Sequence, residues 1–227
     1  MILTRSPRTL LSILMDNIYT YTNPESFFSK RAIGRFWASC ERRYIKATIY
    51  PAIGKYLKNS GTTRVLDIGA RWYDANNRDL FCNSNIIYWM IDIKRRPKYL
   101  KCDYFLRVSI LDLPDIYHNL ESYFDVVISI GVLGFFKFDK KTVNRYLESV
   151  FRILKPNGIL VLKLDTSLMK EFEEEFKIDF DVICKYFTPF STADLPEEKV
   201  VCDENWCATF YSLRKRFAPN EEKGAAS

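Results

Sequence analysis

The stretch Val65-Leu66-Asp67-Ile68-Gly69-Ala70 decides the fold of this chain. The residues from Arg64 to Ile68 are mostly apolar and predict a strand that ends at an acid and a glycine. A glycine at that point lets a ligand approach the backbone closely, and an acid can accept hydrogen bonds from the ligand. The stretch therefore predicts a strand whose carboxyl end forms part of a binding site.

Strands and helices alternate after this first strand. Further strands are predicted at Ile86–Ile91, Phe105–Ile110, Phe124–Ile130 and Ile159–Leu164, with two more near Phe180–Phe187 and Trp206–Leu213. Helices are predicted to begin near Asp74, after a cap at Asp139, and over residues 167–176. This alternation predicts an α/β fold with a parallel sheet and helices on both faces. Such sheets bind ligands at the carboxyl ends of their strands, where the strand order reverses.

A second acid follows the second predicted strand. Asp92 comes directly after Tyr88-Trp89-Met90-Ile91. Nucleoside-binding sheets keep a carboxylate for the ribose hydroxyls about 20 residues after the glycine. The glycine and the acid together favour a cofactor that contains a nucleoside. An NAD-dependent dehydrogenase is disfavoured because the chain lacks a full G-x-G-x-x-G.

The chain resembles the class I S-adenosylmethionine-dependent methyltransferases between residue 64 and about residue 164. The matching segments are Val65-Leu66-Asp67-Ile68-Gly69, Asp92, Leu111-Asp112-Leu113-Pro114, Phe124-Asp125-Val126-Val127-Ile128 and Leu154-Lys155-Pro156-Asn157-Gly158-Ile159-Leu160-Val161. The resemblance implies a Rossmann-like, seven-stranded, mostly parallel sheet whose last strand is antiparallel, with S-adenosylmethionine as the cofactor. It also implies the cofactor-binding residues Asp67, Gly69, Asp92, Ile93, Leu111, Asp112, Ile130 and Gly131, and we add Ala70 and Arg71 of the loop after Gly69 as further candidates.

The cofactor loop departs from the family pattern. The usual Gly-x-Gly is replaced by Gly69-Ala70-Arg71. A guanidinium can bind a carboxylate through two hydrogen bonds, so Arg71 is a candidate partner for the methionyl carboxylate. The alternative is that Arg71 faces solvent or pairs with Asp74.

The N-terminal quarter of the chain is basic. Residues 1–64 carry 11 Lys and Arg against 3 Asp and Glu, whereas residues 65–227 carry 23 against 25. Asn23-Pro24 predicts a helix start, and Pro51 is expected to end or kink that helix. We predict a basic helical lid over residues 1–60, a methyltransferase domain over 61–217 and a disordered tail over 218–227.

The lid is a candidate for binding the substrate. Its substrate-binding candidates are Arg35, Trp37 and Arg42, since interleaved aromatic and basic side chains can stack on a ring while holding a phosphate. The alternatives are that the aromatic side chains pack on the sheet domain and that the charges form a solvated face.

The segment after the fourth strand bears on the methyl acceptor. Ile130-Gly131-Val132-Leu133-Gly134-Phe135 is small and apolar, and it resembles family members that act on hydroxyls or small molecules. It also loosely resembles glycan-modifying methyltransferases of bacteria and large DNA viruses. We therefore expect O-methylation of a sugar in a glycan or nucleotide sugar, a deoxyhexose such as rhamnose being one candidate. One alternative is an RNA ribose 2′-O-methyltransferase, because the fifth strand of those enzymes carries a lysine similar to Lys163. The other is a non-catalytic binding subunit. Nucleic acid is the less favoured partner.

Two residues are candidates for the catalytic base. Asp165 follows the fifth predicted strand, and Tyr73 lies in the cofactor loop. The single histidine, His118, is expected to lie at the surface. No metal is expected, because no cluster of carboxylates and no C-x-x-C pair is visible. The apolar run Leu10–Met15 is too short to span a bilayer, so a cytoplasmic location without a membrane span is expected.

Overall fold

The computed structural model describes residues 43–69, 77–93, 101–130, 132–133, 139–167, 180–202 and 206–216. Within these ranges one sheet contains the strands β1 (Thr63–Ile68), β2 (Ile86–Ile91), β3 (Tyr104–Leu106), β4 (Phe124–Ser129), β5 (Leu154–Ser167), β6 (Phe187–Pro189), β7 (Glu198–Cys202) and β8 (Trp206–Lys215). The helices are α1 (Tyr50–Tyr56), α2 (Asn77–Leu80), α3 (Leu113–Ile116), α4 (Lys140–Ile153) and α5 (Phe180–Cys184).

The strand order is β3-β2-β1-β4-β5-β8-β6, and β7 also pairs with β8. The pairings among β1 to β5 are parallel, and β8 runs antiparallel to β5. The predicted mostly parallel sheet with one antiparallel strand is therefore confirmed. The sheet is seven positions wide because β6 and β7 pair with different stretches of β8. The order reverses between β1 and β4, which places the expected ligand site at the carboxyl ends of these two strands.

One face of the sheet is covered by α1 and the turn before it. A π-helical turn, Ile45–Ile49, leads into α1, and the backbone N–H of Tyr50 bonds to the carbonyl of Ile45. Pro51 does not end this helix, so of the two outcomes expected for it, an end or a kink, the end is excluded. Proline lacks an N–H but fits the first turn of a helix, and α1 continues to Tyr56. Ile45, Ile49 and Ile53 are each 1% exposed and pack in the core on this face.

Backbone contact brings α1 close to the segment between α2 and β2. A Cβ atom on Gly54 would lie 1.7 Å from the carbonyl oxygen of Phe81. The carbonyl of Gly54 accepts a hydrogen bond from the Asn83 side chain at 3.1 Å. This close approach requires glycine at position 54.

The opposite face is covered mainly by α4. Asp139 caps this helix by accepting a 2.6 Å hydrogen bond from the backbone N–H of Thr142, as predicted. The buried positions of α4 share one face and are Val143, Tyr146, Leu147, Ser149, Val150 and Ile153. They pack on the side chains of β4 and β5 that point to this face.

The structure corrects several predicted boundaries. Residues 180–187 are not one strand, since α5 and β6 share them. Strand β3 is confined to Tyr104–Leu106, and β7 lies where the sequence predicted no strand. Strand β5 continues to Ser167, and most of the predicted helix 167–176 lies outside the described residues.

The described residues cover part of the predicted lid and none of the predicted tail. The lid is described from Arg43 onward, and the tail, residues 218–227, is not described. In the described ranges, no helix is long and apolar enough to cross a membrane.

Candidate cofactor site

Gly69 lies at the turn that follows β1. Its φ angle is +70°, a conformation that residues with a side chain adopt at a cost. Its backbone N–H donates a hydrogen bond to the carbonyl of Ile91 at 2.9 Å. A Cβ atom at this position would lie 2.6 Å from Cγ2 of Val132, in the segment after β4. The chain therefore leaves β1 in tight contact with the last residue of β2 and with the segment that follows β4, at the point where the strand order reverses.

Asp67 is buried at the same end of β1, with 1% of its surface exposed. Its Oδ2 atom accepts hydrogen bonds from the hydroxyls of Tyr50 and Tyr88, both at 2.6 Å. The Asn77 side-chain amide donates to the Tyr50 hydroxyl at 3.0 Å. We call Tyr50, Asp67, Asn77 and Tyr88 the Asp67 network. It joins α1, β1, α2 and β2, which are the elements around the predicted cofactor loop.

Burial raises the pKa of Asp67 to about 6, and the hydrogen bonds from Tyr50 and Tyr88 oppose this rise. Burial also raises the pKa of both tyrosines, and the neighbouring Asp67 carboxylate adds to the increase. The tyrosines therefore remain protonated and act as donors, and the carboxylate is the acceptor.

The other carboxylate oxygen of Asp67 has no hydrogen-bond partner among the residues that the structure describes. Within these residues, Oδ1 of Asp67 and Oδ1 of Asn77 are both buried and both lack a donor. Most buried polar atoms in proteins have a partner, because a missing hydrogen bond costs free energy. An acceptor of this kind suits a donor or a cation supplied by a ligand.

Asp92 and Ile93 follow β2 at the same edge of the sheet. The backbone N–H of Asp92 donates to the carbonyl of Leu106 at 3.2 Å, and Asp92 is half-buried. The carbonyl of Ile93 accepts a hydrogen bond from Nε of Arg107 at 3.3 Å. Because Gly69 is bonded to the residue before Asp92, the structure brings Gly69 and Asp92 together at the carboxyl edge of the sheet.

Leu111 and Asp112 lie in the turn that leads into α3. The backbone N–H of Leu111 donates to the Ser109 hydroxyl at 3.2 Å. The Asp112 carboxylate accepts a hydrogen bond from Arg145 of α4 at 3.3 Å. Burial raises the pKa of Asp112, the Arg145 guanidinium lowers it, and the Asp115 carboxylate raises it. This turn is thus attached to α4.

The end of β4 contributes Ile130 and Ser129. Ile130 is 1% exposed and packs in the core under α1. The Ser129 hydroxyl lies on the other face and hydrogen-bonds the Tyr146 hydroxyl at 2.7 Å. The backbone at this edge of the site is therefore supported from both faces of the sheet.

Asp165 does not lie in a loop after β5, which corrects the sequence-based placement. It is within β5, in register with Ala208 of β8. The strand extends further than predicted because its pairing with β8 continues to Ser167. Lys163, two residues before Asp165, is fully buried. His118 is exposed, which confirms its predicted surface position.

Several predicted site residues lie outside the described residues. They are Ala70, Arg71 and Tyr73 of the cofactor loop, Gly131 after β4, and Arg35, Trp37 and Arg42 of the lid. Their roles stay predictions.

Tyr50, Tyr88 and Asn77 are not among the functional candidates that the sequence predicts. Tyr50 and Tyr88 occupy core positions, which aromatic residues fill in most proteins, so no local pattern distinguishes them. Within the described part of the chain, no group of three or more His, Cys, Asp or Glu side chains is arranged to hold a metal ion.

Comparisons with solved structures define the class of fold. A 1,6-didemethyltoxoflavin-N1-methyltransferase from Burkholderia thailandensis, crystallised with S-adenosylhomocysteine, has a TM-score of 0.54 and 16% identity, over 93% of this chain and 91% of that chain. The N-methyltransferase NodS from Bradyrhizobium japonicum WM9, also crystallised with S-adenosylhomocysteine, has a TM-score of 0.51 and 14% identity, over 73% of this chain and 85% of that chain. A protein from Pyrococcus horikoshii OT3 has a TM-score of 0.53 and 15% identity, over 89% of this chain and 99% of that chain. The chain therefore has the fold of the class I S-adenosylmethionine-dependent methyltransferases.

The sequence itself matches a protein family described as Methyltransferase domain over residues 73–162. This range includes β2, β3, β4, α4 and most of β5. A comparison with curated proteins gives no match. Residues 73–162 therefore match a methyltransferase domain, and the chain has the class I fold, as the resemblance in its motifs implied.

Proposed function

We propose that this protein binds S-adenosylmethionine at the carboxyl ends of β1, β2 and β4 and transfers its methyl group to a small-molecule acceptor. The observation that carries the proposal is the turn at Gly69. Its positive φ and its contact with Val132 leave room for backbone but not for a side chain. The methyltransferase family match supports the activity.

The described residues fit this cofactor. Oδ1 of Asp67 is buried and has no partner in the described ranges, which suits a cationic or hydrogen-bond-donating group. Asp92 lies beside Gly69 and is assigned to the ribose hydroxyls. Ile93, Leu111, Asp112 and Ile130 are assigned to the adenosine part. The cofactor would supply an electrophilic methyl group on its sulfonium, and these residues would bind and orient it.

For the acceptor, we propose a sugar hydroxyl in a glycan or nucleotide sugar. The apolar segment after β4 supports this choice. Ile130 and Leu133 are buried there, at 1% and 3% exposure. Transfer to a hydroxyl requires the oxygen in line with the sulfonium and a base within hydrogen-bond reach. We assign the base to Asp165 or Tyr73, the grip on the methionyl carboxylate to Arg71, and substrate binding to Arg35, Trp37 and Arg42.

A transfer assay with radiolabelled S-adenosylmethionine tests this proposal. The acceptors would be nucleotide sugars including a deoxyhexose, free glycans, RNA fragments and small amines, each with and without EDTA. We expect label in the sugar fraction, at a rate that EDTA does not change. Label in amines would overturn the choice of a hydroxyl, and label in RNA would favour the ribose methyltransferase. No transfer by a protein that binds the cofactor would favour a binding subunit.

A further inference from the structure

The helix ahead of the first strand reaches the acid of the cofactor motif. Tyr50 belongs to α1, and its hydroxyl meets Asp67 of β1 at 2.6 Å across 17 positions of sequence. The sequence predicts that the N-terminal region as a whole binds the substrate. This contact instead connects its last helix to the cofactor site.

The hydrogen-bond directions in the Asp67 network are fixed by its composition. Asn77 donates its amide hydrogen to the Tyr50 hydroxyl, which leaves the proton of that hydroxyl for Asp67. Tyr88 donates from β2 to the same oxygen. Both donors therefore act on Oδ2, and no donor from the described part of the chain reaches the buried Oδ1.

This arrangement is more than is needed to fill the core. Tyr50 and Tyr88 already pack their rings against Phe81, with centroids 5.0 Å and 5.3 Å away. Phenylalanine at either position would keep these ring contacts and would bury no hydroxyl. The Asp67 carboxylate explains the two hydroxyls, because each hydroxyl donates a hydrogen bond that favours the ionised form of Asp67.

We propose that Tyr50 and Tyr88 are positioning residues of the cofactor site, which hold the buried Asp67 carboxylate ionised and oriented with Oδ1 available to the cofactor. The proposal rests on the proposed function. Its new content is that α1 takes part in cofactor binding through the Tyr50 hydroxyl, although Tyr50 lies upstream of every cofactor motif.

The groups around Asp67 determine what should titrate. In the part of the chain that the structure describes, they are Tyr50 of α1, Tyr88 of β2 and, at longer range, Tyr146 of α4. The pKa of each tyrosine is raised by burial, so all three stay neutral near pH 6. A change in cofactor affinity near pH 6 that responds to Tyr50 therefore reports on Asp67.

The test uses the full chain with Tyr50→Phe, Tyr88→Phe and the control Tyr186→Phe. Tyr186 is also buried, with 8% exposure, and hydrogen-bonds Asn144 on the other face of the sheet. Two quantities are measured for each protein. The first is the pKa of Asp67 in the free protein, from the ¹³C NMR shift of its carboxyl carbon. The second is the dissociation constant of S-adenosylhomocysteine between pH 5 and pH 8.

Loss of one donor should raise the pKa of Asp67 by about one pH unit. If the cofactor requires the ionised form, binding at pH 6 should weaken about fivefold, and the difference from wild type should disappear above pH 8. Tyr186→Phe should change neither quantity. If Tyr50→Phe does not fold, Tyr88→Phe carries the same test, because its hydroxyl contacts the same oxygen.

The outcomes separate this inference from the proposed function. If wild type binds S-adenosylhomocysteine and Tyr50→Phe binds it equally at every pH, the positioning role is overturned and the proposed function stands. If the weakening is equal at all pH values, or is matched by Tyr186→Phe, the tyrosines are structural and the inference is also overturned. If wild type does not bind the compound, the proposed function fails and this inference fails with it.

Discussion

At the scale of single residues, Gly69 is constrained both by its backbone and by its neighbour. Gly69→Ala places a side chain at φ +70° and against Val132. The conformation alone costs about 1–2 kcal/mol, and the contact adds to that cost. We expect a lower free energy of unfolding, measured by urea titration, and weaker binding of S-adenosylhomocysteine, measured by calorimetry.

Gly61→Ala is the matched control for this substitution. Gly61 has φ +68°, and a Cβ atom there would have nothing within 4 Å. It should therefore lose only the conformational part of the stability and bind the cofactor product normally. Equal losses of stability and of binding in the two variants would contradict the tight contact between the turn after β1 and the segment after β4.

Asp67 predicts a pH dependence of stability. Its folded-state pKa of about 6 lies above the ordinary value of 3.8. Between these values the folded protein binds the proton more tightly than the unfolded chain, so lowering the pH favours folding. Wild type should gain stability relative to Asp67→Asn as the pH falls from 7 to 4, by up to about 3 kcal/mol. Urea titrations of both proteins at each pH measure the difference, and a constant or opposite difference would refute the raised pKa.

At the scale of elements, α1 depends on its close approach to the Phe81 backbone. Alanine has a higher helix propensity than glycine by about 1 kcal/mol, so Gly54→Ala would stabilise an unconstrained helix. The 1.7 Å approach of a Cβ atom to the Phe81 carbonyl predicts the opposite sign. We expect a loss of about 1–3 kcal/mol in thermal or urea unfolding, which is typical of overpacking. Lys55→Ala, at the next, exposed position, is the control, and a stabilised Gly54→Ala would show that α1 does not pack as described.

Elements with a strong local pattern could be predicted from the sequence. The apolar runs of β1, β2 and β4 and the capped stripe of α4 agree with the structure within about one residue at each end. Residues 180–187 could not be assigned locally, because their apolar positions suit both a strand and a helix. Strand β7 was missed because Glu198 and Lys199 give it a polar start. Its partner β8 determines its conformation, through pairing that a sequence pattern does not contain.

The candidate site was predictable only in part, for the same reason. Gly69 and Asp92 stood out because each follows an apolar strand. The partners of Asp67 did not stand out, since they lie 17 and 21 residues away and look like core aromatics. The three elements α1, β1 and β2 meet at Asp67, and their arrangement determines which of its two carboxylate oxygens receives the tyrosine hydrogen bonds. The spacing of residues in the sequence does not specify this arrangement.

At the scale of the whole molecule, the uneven charge predicts a division of roles. The basic excess lies in residues 1–64. In the described part of that region, the Tyr50 hydroxyl contacts Asp67 of the cofactor motif. Neutralising Arg35, Arg42 and Arg43 together should raise the Michaelis constant for an anionic acceptor. The turnover number and the affinity for S-adenosylhomocysteine should change little, as expected when uniform binding is lost.

The control for this variant removes the same charge elsewhere. Three exposed lysines of the methyltransferase domain serve this purpose, namely Lys141, Lys185 and Lys199. An equal rise in the Michaelis constant in the control would reduce the effect to net charge. Weaker cofactor binding in the arginine variant, with normal handling of the acceptor, would place these arginines in the cofactor site.

Calorimetric titration of the full chain with S-adenosylhomocysteine tests the central claim most directly, with Asp92→Ala and the surface control Asp194→Ala measured alongside. Asp194 pairs with Lys55 in an exposed salt bridge, so its loss should not affect the site. We predict saturable binding at one site by wild type and by Asp194→Ala, and binding weaker by about 1.5–3 kcal/mol for Asp92→Ala, the value for hydrogen bonds to a charged group. No saturable heat with wild type, or unchanged affinity in a folded Asp92→Ala protein, would contradict a cofactor site at the carboxyl ends of β1, β2 and β4.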